Sequence, residues 1–126
     1  MASSARPDFH LDAIENGPVT VLRPSGELDL VHGSRLTAAL EPALARRPAT
    51  LAIDLRQLSF MDSSGIHAII AAELRCRLQG TRFYLIRGSA TIDRLMAVCG
   101  LDRAFPTVSG PEQLPAGDDT PLRIAV

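Results

Sequence analysis

The residues best suited to chemistry are the four in the run Asp62-Ser63-Ser64-Gly65. They follow an apolar segment and open a run with helical spacing, so they are expected at the N-terminus of a helix. Backbone N–H groups at that end have no partner within the helix, and the helix dipole makes the end electropositive. A serine there can therefore serve as a helix cap, or it can carry a phosphate whose negative charge the helix end favours.

A catalytic alternative arises because His67 lies one helical turn after Ser63, with Asp62 next to the serine. These are the residue types of a serine hydrolase. However, the chain has no G-x-S-x-G elbow, and one helical turn rarely supplies base, orienting acid and oxyanion hole together. We therefore predict that the protein is not an enzyme and keep a small serine hydrolase as the alternative.

The composition excludes several other chemistries. All 13 basic residues among the 126 are arginines, so no lysine can act as a Schiff base, general base or P-loop residue. A net charge of -1 gives no reason to expect nucleic acid or an anionic membrane as a partner. Two cysteines, Cys76 and Cys99, are expected to be buried and reduced, and no metal-ligand spacing surrounds them. We expect neither a metal nor another cofactor.

The N-terminus has no signal-peptide pattern, and no apolar run approaches the roughly 18 residues that span a bilayer. A cytoplasmic location is therefore predicted.

Strand and helix periods alternate along the chain, which predicts an α/β fold. Its sheet should be mixed and mainly parallel, with an antiparallel first strand and helices packed on it. An Asn16-Gly17 turn should join the first two strands. The predicted strands cover residues 8–13, 19–22, 50–55 and 82–87, and residues 57–61 are expected to form a loop.

Three helices are predicted. The first contains Leu36, Leu40 and Leu44, with Ser34 as its cap and Pro42 expected to kink or shorten it. The second runs from Ser64 to Gly80 and the third from a Ser89 cap to Gly100. Their inward residues are expected to be Ile66, Ile69, Ile70 and Leu74 in the second helix, and Ile92, Leu95, Met96 and Cys99 in the third.

Two motifs resemble those of the STAS domain: Gly26-Glu27-Leu28-Asp29 and the octapeptide from Leu58 to Gly65. More narrowly, the sequence is similar to the single-domain anti-sigma factor antagonists over roughly residues 8–109. The resemblance implies a STAS domain over residues 1–109. Residues 110–126 then form a Pro/Gly-rich tail that departs from the family pattern, and its last five residues alternate like a short strand.

In that family the first serine of the motif is phosphorylated, which corresponds to Ser63. The resemblance implies that the unphosphorylated protein binds an ATP-binding anti-sigma factor serine kinase and so releases a sigma factor. Phosphorylation would abolish binding, and a PP2C-type phosphatase would restore it. The implied role is bacterial transcription regulation in stress-response or sporulation-type signalling. The alternative is a STAS module of another regulatory complex, such as a stressosome-like assembly, or of a lipid-transport complex.

Within the switch loop, Asp62 has three open roles: helix cap, orienting group for the Ser63 hydroxyl, or orienting group for the kinase's metal. Ser64 is expected to be a helix-start residue, with a minor acceptor role as the alternative. Gly65 should allow a close backbone approach.

Four residues are expected to bind the partner: Asp29, Glu27, Met61 and His67. By resemblance, the acid matching Asp29 contacts the kinase, whereas a solvated charge is the favoured role of Glu27. Phe60 is predicted in the core and Met61 in an exposed contact. His67 replaces a residue that is small or aliphatic in the family, and it is expected to tune the kinase contact or the phosphoserine charge near neutral pH.

Overall fold

A computed structural model describes residues 9–115 of the chain. The strands are β1 (Phe9–Asn16), β2 (Val19–Leu28), β3 (Thr50–Asp54), β4 (Leu58–Met61), β5 (Arg82–Ile86) and β6 (Thr107–Val108). The helices are α1 (Gly33–Ala45), α2 (Ser63–Gln79), α3 (Ala90–Val98) and α4 (Leu101–Ala104), followed by a 3-10 turn at Pro111–Gln113.

All six strands belong to one sheet, ordered β1-β2-β3-β5-β6, with β4 paired to β2 outside this path. The β1–β2 pair is antiparallel and the other pairs are parallel. The predicted mixed, mainly parallel sheet with an antiparallel first strand is confirmed. The predicted hairpin is also confirmed, because Asn16 pairs with Val19 and Gly17 adopts a φ of +61°.

The long strand β2 serves two neighbours in succession. Its first part, residues 19–22, pairs with β3, and its last part, residues 26–28, pairs with β4. Pro24 lies between these two parts and pairs with neither β3 nor β4. Its missing N–H therefore costs no hydrogen bond to either strand. The prediction that the strand ends at Leu22 was therefore too short. The prediction of a loop over residues 57–61 was wrong, because Leu58–Met61 is a strand too short to show a period.

The main core lies between the sheet and the helices. From α1 it contains Leu36, Leu40 and Leu44, as their spacing predicts. A smaller cluster lies on the opposite face of the sheet, where Leu114 packs against Val19, Val21, Ala52 and Ile86. The Thr50 hydroxyl donates to the carbonyl of Pro115 at 3.2 Å on the same face. Leu114 and Pro115 thus lie against the sheet. The predicted domain boundary at residue 109 stays a prediction. The predicted strand at residues 122–126 lies outside the described residues.

The predicted cap of α1 was wrong, and so was one of the two effects expected of Pro42, a shorter helix. Ser34 is the second residue of the helix, and His32 occupies the N-cap position. Pro42 does not shorten α1, which continues to Ala45. Pro42 is exposed, so its ring lies on the solvent side and the helix loses one hydrogen bond without ending.

The inward face of α2 was only partly predicted. Ile66 and Ile69 are buried, but Ile70 and Leu74 are 41% and 42% exposed. The buried face instead follows the spacing Ile66, Ile69, Ala72 and Cys76. Two apolar stripes share this helix, and residue type alone does not tell which stripe meets the sheet.

The third predicted helix also needs correction. Ser89 caps α3 as predicted, because its hydroxyl oxygen accepts from the N–H of Ile92 at 3.3 Å. Cys99 is exposed, contrary to prediction, since α3 ends at Val98 and the chain turns at Gly100 with a φ of +78°. The short elements α4 and β6 were not predicted.

Candidate functional site

Two helix starts and two strand ends meet at one edge of the sheet. The parallel strands β2 and β4 pair Glu27 with Phe60 and Leu28 with Met61. Each strand then leads into a helix, α1 after β2 and α2 after β4. The two helix starts are close, because a Cβ built on Gly33 would lie 3.7 Å from the carbonyl oxygen of Ser64. The fold therefore places the two sequence motifs side by side.

Asp62 is the N-cap of α2. Its Oδ1 accepts hydrogen bonds from the N–H groups of Ser64 at 2.8 Å and Gly65 at 3.4 Å. The backbone carbonyl of Asp62 accepts from the N–H of Ile66 at 3.1 Å. Of the three roles open in the sequence, the structure shows the cap, and the other two stay predictions. The carboxylate also occupies the N–H groups that would otherwise be available to a phosphate on Ser63.

Gly65 sets the distance between α2 and the sheet. A Cβ at this position would lie 2.5 Å from Cγ of Met61 and 2.6 Å from the carbonyl oxygen of Leu28. The second neighbour is backbone and cannot turn aside. Any larger residue would push the start of α2 away from the ends of β2 and β4, so the close approach predicted for Gly65 is confirmed.

Ser63 is the first residue of α2 and is exposed, whereas Ser64 is half-buried. His67 is exposed one turn further along the same helix. The Asp62 Oδ1 atom accepts from backbone N–H groups at the helix start.

Asp29 organises the loop between β2 and α1. Its Oδ1 accepts from the backbone N–H groups of Val31 and His32, both at 3.1 Å, and lies 2.9 Å from Nδ1 of His32. The His32 ring stacks on Phe9 with 5.1 Å between ring centroids, and its Nδ1 lies 3.0 Å from the carbonyl oxygen of Glu27. This carboxylate is engaged within the loop. His32 was missed, although an aspartate three residues before it is a turn signal.

Three exposed apolar residues, Leu30, Val31 and Phe60, lie near the ends of β2 and β4, and we call them the apolar surface patch. Leu30 and Val31 are largely exposed, and Phe60 is 49% exposed. Met61 is only 5% exposed, because it alternates inward along β4 against Leu28 and Gly65. The predictions for Phe60 and Met61 were therefore wrong in opposite directions, and Met61 cannot offer the expected surface contact. Leu30 and Val31 were missed, although two adjacent apolar residues after Asp29 were a visible signal.

Within residues 9–115, no group of three or more histidine, cysteine or acidic side chains is placed to hold a metal ion. None of the helices within this range combines the length and the apolar composition that crossing a membrane requires.

A sequence model of the STAS domain matches residues 10–113. The chain belongs to the STAS-domain family. The anti-sigma-F factor antagonist RsfB of Mycobacterium tuberculosis is 29% identical over 102 residues, which cover 81% of this chain and 83% of RsfB. The crystal structure of an anti-sigma factor antagonist from Mycobacterium paratuberculosis has a TM-score of 0.76 at 25% identity and covers 86% of this chain and 93% of that one.

The Bacillus cell fate determinant SpoIIAA, solved in its phosphorylated form, has a TM-score of 0.62 at 25% identity. The match covers 82% of this chain and 94% of SpoIIAA. This STAS protein thus resembles anti-sigma factor antagonists over most of both chains, and one of these relatives exists in a phosphorylated form. The resemblance stated from the two motifs is confirmed.

Proposed function

We propose that this STAS protein is a cytoplasmic, non-enzymatic anti-sigma factor antagonist controlled by phosphorylation of Ser63. Its unphosphorylated form binds an anti-sigma factor serine kinase and thereby releases a sigma factor. Phosphorylation by that ATP-binding kinase ends the binding, and a PP2C-type phosphatase restores it. The observation that carries the proposal is an exposed serine at the first position of α2, beside an exposed apolar surface patch. The names of the relatives support the same role.

The electrostatics of the helix start favour a change of surface over a change of fold. A phosphate adds about -1.5 to -2 charges at neutral pH. The helix dipole offsets part of this charge, by about 0.3–1 kcal/mol at an exposed site. The Asp62 carboxylate already takes the N–H groups of Ser64 and Gly65, so the phosphate must project outward with a second negative charge beside it.

The partner would meet this projecting charge at its contact surface. Unphosphorylated, the region offers the apolar residues Leu30, Val31 and Phe60. A doubly charged group at the border of such a patch must be desolvated, or must face like charge, when a partner docks. Such a mismatch across an interface costs several kcal/mol, and about 3 kcal/mol already weakens binding by roughly 100-fold.

A kinase assay tests whether Ser63 is the residue that accepts the phosphate. The full chain is incubated with ATP and each anti-sigma factor kinase of the same cell, and phosphate incorporation is measured by intact mass. We expect one phosphate on the wild type, none on Ser63→Ala, and one on the matched neighbour Ser64→Ala. Failure of every kinase to modify Ser63 would contradict the phosphorylation switch and would favour a STAS module of another assembly.

A binding assay tests whether the apolar surface patch contacts the kinase. Phe60→Ser should weaken kinase binding in isothermal titration calorimetry, because it removes an exposed apolar contact without opening the core. Val98→Ser is the matched control, since Val98 is an exposed apolar residue on α3. Equal affinities for wild type and Phe60→Ser would remove the patch from the interface.

A further inference from the structure

The outer face of α2 carries an apolar stripe, formed by Ile70, Leu74 and Leu78, that stays exposed to solvent in the described part of the chain. All three are exposed large apolar residues, and Leu78 is 75% exposed. They follow one another at four-residue intervals, so they lie on one side of the helix, opposite the buried Ile66, Ile69, Ala72 and Cys76. An outward-facing helix side normally carries charge, and here the charged residues lie on its borders instead.

Each border of the stripe carries an acid and a base. On one side, Nε of Arg77 donates to Oε2 of Glu73 at 3.1 Å within α2. On the side towards α1, Nη1 of Arg75 donates to Oε2 of Glu41 at 2.7 Å. Both ion pairs lie at the protein surface. The stripe is thus an apolar strip about 12 Å long, at 1.5 Å per residue, between two borders of balanced charge.

We propose that this stripe is the docking site for a second copy of the chain, with the two α2 helices packed antiparallel about a two-fold axis near Leu74. A two-fold contact needs a surface that is complementary to itself. In this arrangement Leu74 meets Leu74 of the second copy, and Ile70 meets Leu78. The border of one copy faces the same border of the other in reverse order, so each Glu73 lies two helix positions from Arg77 of the second copy. It lies equally far from the second copy's Glu73, so the four charges are ordered as base, acid, acid and base along this border. On the other border the two Arg75 residues approach each other, and Glu41 neutralises each of them.

The proposal is independent of the switch at Ser63. Ser63 lies 11 residues before the centre of the stripe, about 17 Å along the helix. In the antiparallel pair it lies beyond the end of the second copy's α2, so phosphorylation leaves the dimer intact. Failure of the kinase assay and failure of self-association are therefore separate results.

Sedimentation equilibrium of the full chain over a wide concentration range measures the association. We expect a reversible monomer–dimer equilibrium for the wild type and for Ser63→Asp. Leu78→Glu should raise the dissociation constant by about tenfold or more, because it places a charge in the apolar stripe. Val98→Glu is the matched control, since Val98 is 78% exposed on α3, and it should not change the constant. A wild type that stays monomeric, or equal effects of the two substitutions, would overturn the proposal.

A charge exchange tests the antiparallel register. Glu73→Arg gives the border two bases, and Arg77→Glu gives it two acids, so each variant alone should dimerise less than the wild type. Mixed in equal amounts, the two variants should form a heterodimer, because the basic border of one then faces the acidic border of the other. Far-UV circular dichroism checks that both variants fold. If the mixture associates no better than either variant alone, the proposed pairing is wrong.

Discussion

Substituting alanine at Gly65 and at Gly33 should have opposite effects on stability, although both glycines lie where the starts of α1 and α2 meet. At Gly65 the new Cβ would lie 2.5 Å from Cγ of Met61 and 2.6 Å from the carbonyl oxygen of Leu28. At Gly33 the nearest neighbour is the carbonyl oxygen of Ser64 at 3.7 Å, an ordinary contact. Neither glycine has a positive φ, so alanine is not strained by backbone conformation at either position.

The magnitudes follow from these contacts. Overpacking a well-packed site costs about 1–3 kcal/mol, and the Leu28 carbonyl can only be relieved by moving β2 or α2. Replacing glycine by alanine within a helix gains roughly 0.5–1 kcal/mol. We therefore expect Gly65→Ala to lower the free energy of unfolding by about 1–2 kcal/mol and Gly33→Ala to raise it by up to about 1 kcal/mol.

Urea unfolding followed by far-UV circular dichroism measures both variants, since the chain has no tryptophan. A Gly65→Ala protein as stable as the wild type would refute the close approach of α2 to the strand ends. Kinase binding by Gly65→Ala should also weaken, because the displaced helix start carries Ser63.

Three further predictions concern the cap, a buried carboxylate and a thiol. In the same urea assay, Asp62→Ala should lower the free energy of unfolding by about 1 kcal/mol. Asp62→Asn should lower it by only a few tenths, because asparagine also caps helices. Equal losses in the two variants would contradict the capping role of Asp62. Burial raises the pKa of Asp54, but hydrogen bonds from Arg56 and Arg23 and the charge of Arg56 outweigh it and hold that pKa below its usual value. The ion pairs of Asp54 should therefore stabilise the protein above about pH 4, the unfolded pKa of aspartate, and this stability should be lost as the pH falls through the lower folded pKa. Thermal unfolding between pH 7 and 3 should show that acid lowers the melting temperature less in Asp54→Asn than in the wild type. The same decrease in both proteins would contradict this. Burial raises the pKa of Cys76 to about 12. The exposed Cys99 should therefore react at once with a disulfide reagent at pH 8, and Cys76 only when the protein unfolds. Fast reaction of both thiols would contradict this.

The parts of this fold that short-range rules govern could be predicted from the sequence. The Asn16-Gly17 hairpin, the cap at Ser89 and the end of α2 at Gly80 depend on residues within a few positions of one another. The position of Ser63 at the start of α2 followed from the same kind of signal.

The errors occurred where tertiary neighbours decide. Strand β4 has only four residues, and its pairing with β2 decides that Met61 is buried and Phe60 exposed. The two apolar stripes of α2 look alike in sequence, and only packing on the sheet selects the buried one. The engagement of Asp29 with His32 depends on a ring stacked on Phe9, from a strand more than 20 residues earlier in the chain.

A comparison of the two forms of the protein shows whether a phosphate on Ser63 controls partner binding. The protein is prepared with Ser63 either unmodified or fully phosphorylated, and each form is titrated into the anti-sigma factor kinase by isothermal titration calorimetry. We expect the unmodified form to bind and phosphorylation to weaken binding by roughly 100-fold or more. Equal affinities of the two forms for the kinase would mean that the phosphate on Ser63 does not control binding.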